Sequence, residues 1–212
     1  MRWPSLERRI KTPKQLLVEG RTSEIFFREW IETLELRDQV EVRDFGSLSQ
    51  LTDYLRNFAH LKKFRDGFVV SLAIIRDAEE KPAAAAFDSV CASLKAVGLS
   101  CPTGLASFST GIPRTGIYIS PDCQGNGMLE TLCWTLLQND SRFTSHVACV
   151  KDYLACLRQG QANLPNETKT KVWAFLATQS KSDPQVGRAA QTGIWDWQNQ
   201  AFAHLRAFLG AL

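Results

Sequence analysis

The sequence lacks most of the signatures that would disclose a chemistry directly. Its three histidines, His60, His146 and His204, stand far apart and outside any HExxH arrangement. A zinc-hydrolase helix with two imidazoles on one face is therefore excluded. GxSxG is absent, and no triad built on histidine finds support. No GxxxxGK[ST] loop occurs, so the chain does not cradle ATP in the P-loop manner. Gly125-Asn126-Gly127 reads as a turn ahead of a helix. None of the six cysteines, Cys91, Cys101, Cys123, Cys133, Cys149 and Cys156, forms a CxxC pair. Zinc of the usual spacing is unexpected, and buried free thiols in a reducing cytosol are the expectation. No run of 18 apolar residues exists, so no membrane span is predicted. The opening MRWPSLERRIKTPKQ has no apolar signal core, so a cytoplasmic location is expected. A net charge of +3 is too small to establish nucleic-acid binding by itself.

What is present is a repeating strand–helix pattern. Residues 1–14 read as a polar, basic lead-in. Leu16-Leu17-Val18 is a short apolar run that stops at Glu19-Gly20, as a strand buried on both faces would. Thr22 or Ser23 can cap a following helix over 23–36, in which Ile25, Phe26, Trp30 and Leu34 recur at helical spacing. Val40 to Phe45 alternates apolar with charged residues and closes at Gly46. Ser47 or Ser49 opens a helix with Leu48, Leu51, Leu55, Phe58 and Leu61 as its stripe. GFVVSLAII, residues 67–75, is the strongest strand and is expected at the sheet centre. Pro82 suits the first turn of an Ala-rich helix over 83–97. Further strands are predicted at Leu105–Ser109 and Gly116–Ser120, and helices at 127–138, 142–159, 168–179 and 199–210. Three βα units in succession predict an α/β fold with a mostly parallel sheet and right-handed crossovers. The chain reads as one domain, with a core over about 14–140 and a helical C-terminal part over about 141–212.

In such a sheet, function gathers beyond the carboxyl ends of the strands. Glu19 lies there after the first strand, and Asp77 and Glu79 after the central one. Residues two apart in an extended segment point the same way, so Asp77 and Glu79 can converge while Ala78 turns aside. Glu19 joins them if the first and third strands are neighbours. Clustered carboxylates repel, and a hard cation such as Mg²⁺ or Mn²⁺ relieves that repulsion. The plainer role is also on the table: Asp77 could be an N-cap for the Ala-rich helix. Glu24 and Glu80 are expected to face solvent, with an extra-ligand role for either as the alternative.

These residues resemble a known family. LLVEG followed by a helix, and an apolar strand ending in an acid-x-acid pair, look like the Toprim domain of topoisomerases, primases and OLD-type nucleases. That pattern has a Glu after the first strand and DxD after the third; here Glu19 and Asp77 match, and Glu79 replaces the second Asp. GIYISPDCQGNGMLETL, TKTKVWAFLATQSKSDPQVGRAAQTGIWDW and AFAHLRAFL resemble the bacterial domain of unknown function 3226, which is Toprim-like. The resemblance implies a Rossmann-like Toprim core and a metal site of Glu19, Asp77, Glu79 and Glu130. Glu19 would act as metal ligand or general acid/base, and Lys169 and Lys171 would contact a phosphate, a plain solvated helix face being the other reading of the two lysines. The helix dipole alone would also favour Glu130 in a first turn, and Asp122 reads as a turn residue. OLD-type sites often carry an acid four residues beyond the first Glu; here that residue is Ser23, which departs from a two-metal pattern.

The expected function is Mg²⁺-dependent phosphodiester cleavage or phosphoryl transfer on nucleic acid, with a separate ATPase as partner, since none is encoded here. The alternatives are a non-catalytic module of an ATPase system and a nucleotide-processing enzyme. Tyr54, Tyr118 and Tyr153 read as structural, and the chain is too short for a topoisomerase. Trp195 and Trp197 read as anchors of a terminal helix rather than base-stacking platforms. The last helix, with Phe202, Leu205, Phe208, Leu209 and Leu212, is expected to pack within the chain, a homodimer or ATPase-docking face being the other reading.

Overall fold

The structure is a computed structural model and describes residues 10–179 and 185–212. Four strands build one sheet: β1 (Lys14–Val18), β2 (Val40–Asp44), β3 (Ser71–Asp77) and β4 (Arg114–Ser120), in the order β2-β1-β3-β4. Every pairing is parallel. Val18 lies opposite Asp44 on one side and Ile75 on the other. The chain moves outward from β1 to β2, then crosses back to β3. The reversal therefore falls between β1 and β3, and this is where an open α/β sheet leaves a crevice for ligands.

Strand alternation divides the core in two. Leu16, Val18, Ala73, Ile75 and Tyr118 face one side, with Val40 and Val42 of β2. They pack against α1 (Gly20–Thr33) and the helices of the C-terminal half, which begin with α5 (Leu129–Asn139). Leu17, Leu72, Ile74, Ile117 and Ile119 face the other side. There they meet α2 (Leu51–Ala59), the single turn α3 (Lys62–Arg65) and α4 (Ala83–Lys95). The remaining helices are α6 (Thr144–Gln159), α7 (Glu167–Ala177), α8 (Val186–Ala190) and α9 (Ala203–Ala211). Trp30 of α1 is fully buried and stacks on Trp197 at 5.1 Å, while Phe202 lies 4.6 Å from it. Trp195 donates its indole N–H to Val186 O, and Leu205, Phe208, Leu209 and Leu212 are buried. The terminal tryptophans and α9 thus belong to the same core as the sheet.

Several expectations are corrected. Leu105–Ser109 is not a continuous strand: Ala106 has φ +53, and the segment meets β4 through an isolated bridge from Phe108 to Gly116 and through the bonds Ala106 N to Ile117 O and Ser109 N to Thr115 O. The absence of a side chain at Gly116 makes room for the Phe108 ring, since a Cβ there would stand 2.5 Å from it. Helix α1 begins at Gly20, earlier than a Thr22 or Ser23 cap would place it, because Glu19 itself is the extended N-cap residue. Ser47 does open a helical turn, in a capping box with Gln50. Helices α3 and α8 were not foreseen. Cys91 and Cys101 are joined in a disulfide, because the turn at Gly98 brings the chain back beside α4. Of the free thiols Cys123 and Cys133 are buried, whereas Cys149 and Cys156 are exposed. Residues 1–9 of the lead-in lie outside the described residues, while Ile10 is buried and Lys14 already belongs to β1. Among the described residues no helix is long and apolar enough to cross a membrane.

Candidate functional site

The crevice at the β1–β3 reversal collects the acids. Glu19 leaves the end of β1, and one of its oxygens, Oε1, accepts the backbone N–H of Leu48 at 3.1 Å. The other, Oε2, is buried and has no hydrogen-bond partner. Asp44, at the end of β2, accepts from Gly20 N at 2.9 Å and Gly46 N at 2.7 Å, which ties the start of α1 to the neighbouring strand. Asp77 ends β3. Its Oδ1 accepts from Leu129 N at 2.9 Å, so Asp77 anchors the first residue of α5 rather than capping α4. The sequence suggested a helix-capping role and a site role as alternatives; the side chain caps a different helix and still lines the crevice.

Glu130 follows Leu129 in the first turn of α5 and is buried, not exposed. Glu79 is held by paired backbone bonds with Gly127, 2.8 Å and 2.7 Å, in the left-handed region at φ +60. A non-glycine residue in this conformation costs on the order of 1 kcal/mol, a strain that folds retain mainly where the side chain is needed. A cavity of about 310 Å³ is lined by Glu19, Asp77, Glu79 and Glu130 together with Thr22, Ser23, Leu129, Lys169, Trp173, Gln185 and Val186. Four predicted acids and Lys169 are thus brought to one hollow. Lys171 is not: it pairs with Glu167 at 2.5 Å and lies over the Trp134 ring.

The electrostatics report the crowding. Burial, then the charges of Glu130 and Glu19, push the Asp77 carboxyl up to about 7, against the pull of the Leu129 hydrogen bond and Lys169. Burial also raises Glu19, with Arg76 and the Leu48 bond opposing it and Glu79 and Asp44 adding to it. Burial, together with Glu130 and Asp77, holds the Cys133 thiol well above its ordinary range. Carboxylates that hinder one another's ionisation in a cleft are the arrangement expected of a functional site.

Among the described residues, no three His, Cys, Asp or Glu side chains stand together as a ready-made metal-ion site. The donor set is nonetheless all oxygen, and the buried, unpartnered Glu19 Oε2 is the kind of atom a hard cation satisfies. Glu24 takes no part; it is buried between Arg21 and Arg28, not solvent-facing. Its depth follows from α8, whose Gly187 approaches so near that a Cβ would stand 2.3 Å from Thr22 O. Asp122 accepts from Gln124 N and Gly125 N, as a turn residue should.

A family model described as "Protein of unknown function (DUF3226)" matches residues 13–212. The chain belongs to the DUF3226 family. No curated protein and no solved structure matches it. The matched DUF3226 region includes every acid of the crevice and both lysines that the sequence singled out. Sequence reasoning missed three neighbours of the DUF3226 crevice. Asp44 could have been found as an acid at a strand's carboxyl end. Arg76 could have been found as a cation closing an apolar run. Trp173 is 48% exposed at the cavity and carried no motif.

Proposed function

We propose that this chain is a Toprim-type, divalent-metal-dependent protein that cleaves or transfers phosphodiester phosphate on nucleic acid. The observation that carries the reading is the convergence of Glu19, Asp77, Glu79 and Glu130 on one cavity at the sheet's reversal point, with Lys169 on its wall. Glu19, Asp77, Glu79 and Glu130 would hold Mg²⁺ or Mn²⁺, the side chains drawing together around it. The ion, when bound, would polarise a phosphoryl oxygen and lower the pKa of a bound water. Glu19 would offer Oε2, and Asp77 the Oδ2 that Leu129 leaves free. Lys169 would offset charge on the phosphate. Trp173 would give a nucleobase a surface to stack on. No ATPase segment is part of this reading, so any ATP-driven step would come from a partner.

The test is a nuclease assay on single- and double-stranded DNA and RNA with Mg²⁺, Mn²⁺ or EDTA. Glu19→Gln and Asp77→Asn should each abolish metal-dependent cleavage. Equal cleavage by wild type and both variants would remove the proposal. A second reading, a non-catalytic partner of an ATPase, is favoured by the lack of a ready-made metal cluster among the described residues. Copurification with an ATPase, with no cleavage under any metal, would decide for it.

A further inference from the structure

Beside the acidic crevice lies a second, larger cavity of about 660 Å³, and the two share Glu79 and Lys169 as walls. Arg76 lines it. This residue is the penultimate one of β3 and only 5% exposed. Its Nε donates to Asp77 O at 3.2 Å, while its Nη1 is buried with no partner. Arginine is always charged, and an unpaired guanidinium is costly to bury. Glu19 feels the charge of Arg76, but no ion pair joins them among the described residues. Three further observations bear on what would satisfy it. Lys81 and Lys169 add two cations to the lining, against Glu79 and Glu80. Asn126, Asn166 and Thr168 add neutral groups able to donate hydrogen bonds. The volume lies within the range of small-ligand sites.

We infer that this second cavity is a phosphate-binding subsite built on Arg76, taking a phosphomonoester such as the terminal phosphate of a nucleotide or of a nucleic-acid end. A guanidinium suits the planar, two-point recognition of phosphate. The inference deepens the phosphoryl-transfer reading by naming where a substrate's non-reacting phosphate sits. Binding here needs no metal, so it stands or falls separately from the metal site.

The experiment is calorimetric titration of the full chain in EDTA with inorganic phosphate, a deoxynucleoside 5′-monophosphate and a 5′-phosphorylated dinucleotide. Saturable, mutually competitive binding is expected, and the tighter of the two nucleotide ligands tells a free nucleotide from a strand end. Arg76→Lys should weaken all three about tenfold or more, because a charged two-point contact is lost. Lys171→Gln should leave metal-free binding within about twofold, since that ammonium pairs with Glu167 and lines neither cavity. If Arg76→Lys does not fold, Ser89→Leu narrows the cavity from the half-exposed face of α4 and should weaken the nucleotide ligands. No saturable binding of any of the three, or unchanged affinity in folded Arg76→Lys, overturns the inference. So does unchanged nucleotide affinity in Ser89→Leu when Arg76→Lys does not fold. Absence of metal-dependent cleavage by the wild type, with phosphate binding intact, would count only against the metal reading.

Discussion

Asp77 Oδ1 and the backbone N–H of Leu129 are joined at 2.9 Å, and this one bond couples the end of β3 to the start of α5. It sets Glu130 beside Asp77, so a structural contact and an electrostatic conflict share the same side chain. The negative charge is welcome to the helix terminus and unwelcome to Glu130 and Glu19.

The first prediction concerns Asp77 without metal. Its carboxyl titrates at 3.8 ordinarily and at about 7 here. Between those values the folded protein holds a proton that the unfolded chain has lost. Stability set by this group therefore falls as pH rises from about 4 to 7, and stays low above. Asp77→Asn keeps an acceptor for Leu129 and carries no charge. In EDTA it should raise the Tm at pH 8, and the gain should vanish toward pH 4. A Tm difference that is flat with pH would contradict this.

Added Mg²⁺ or Mn²⁺ should act in the opposite sense on the wild type. A cation needs the ionised carboxyl, and below about 7 the proton competes with it. Metal should raise the Tm clearly at pH 8 and little at pH 5. Glu19→Gln should lose most of the pH 8 gain, as read by thermal shift.

Glu79 sits at φ +60. Glu79→Gly removes the Cβ conflict and should stabilise the protein by up to about 1 kcal/mol. The same change should reduce metal-dependent activity. Chemical denaturation and the cleavage assay together test both signs; loss of stability in this variant would mean that the side chain holds the loop instead.

Trp173→Ala should lower the Tm by only a few degrees, because about half of the ring lies outside the fold. It should weaken binding of single-stranded nucleic acid by about 1–3 kcal/mol, the usual loss for one stacking aromatic. Fluorescence anisotropy with a labelled oligonucleotide measures it. By contrast Trp30→Ala removes a fully buried ring and should cost about 3–5 kcal/mol without any direct effect on the cavity.

Much of this fold was legible because the sheet is buried on both faces. LLV before Glu19 and SLAII before Arg76-Asp77 are apolar runs that end in charge, and such runs locate both the strand and its functional end. The misread strand at Leu105–Ser109 also carries apolar residues, Leu105, Ala106 and Phe108, but Ala106 turns left-handed and breaks the extension. Helix α8 is five residues long and too short for a period to be seen. The Cys91–Cys101 pair has no spacing signature, only a turn that returns the chain. Glu24 and Arg76 were opaque for a common reason. Each is a charged residue whose depth is set by elements remote along the chain, α8 for one and the β1–β3 crevice for the other.

The C-terminal helices have a consequence for anyone wishing to cut the protein down. Phe26 and Trp30 meet the rings of Trp197 and Phe202, and the α5 residues touch α7, so residue 140 is not a seam. A fragment ending there would leave the Phe26, Trp30 and Tyr118 rings without their partners, and Lys169 and Trp173 would go with the missing piece. An inactive fragment would therefore say nothing about the acids it retains.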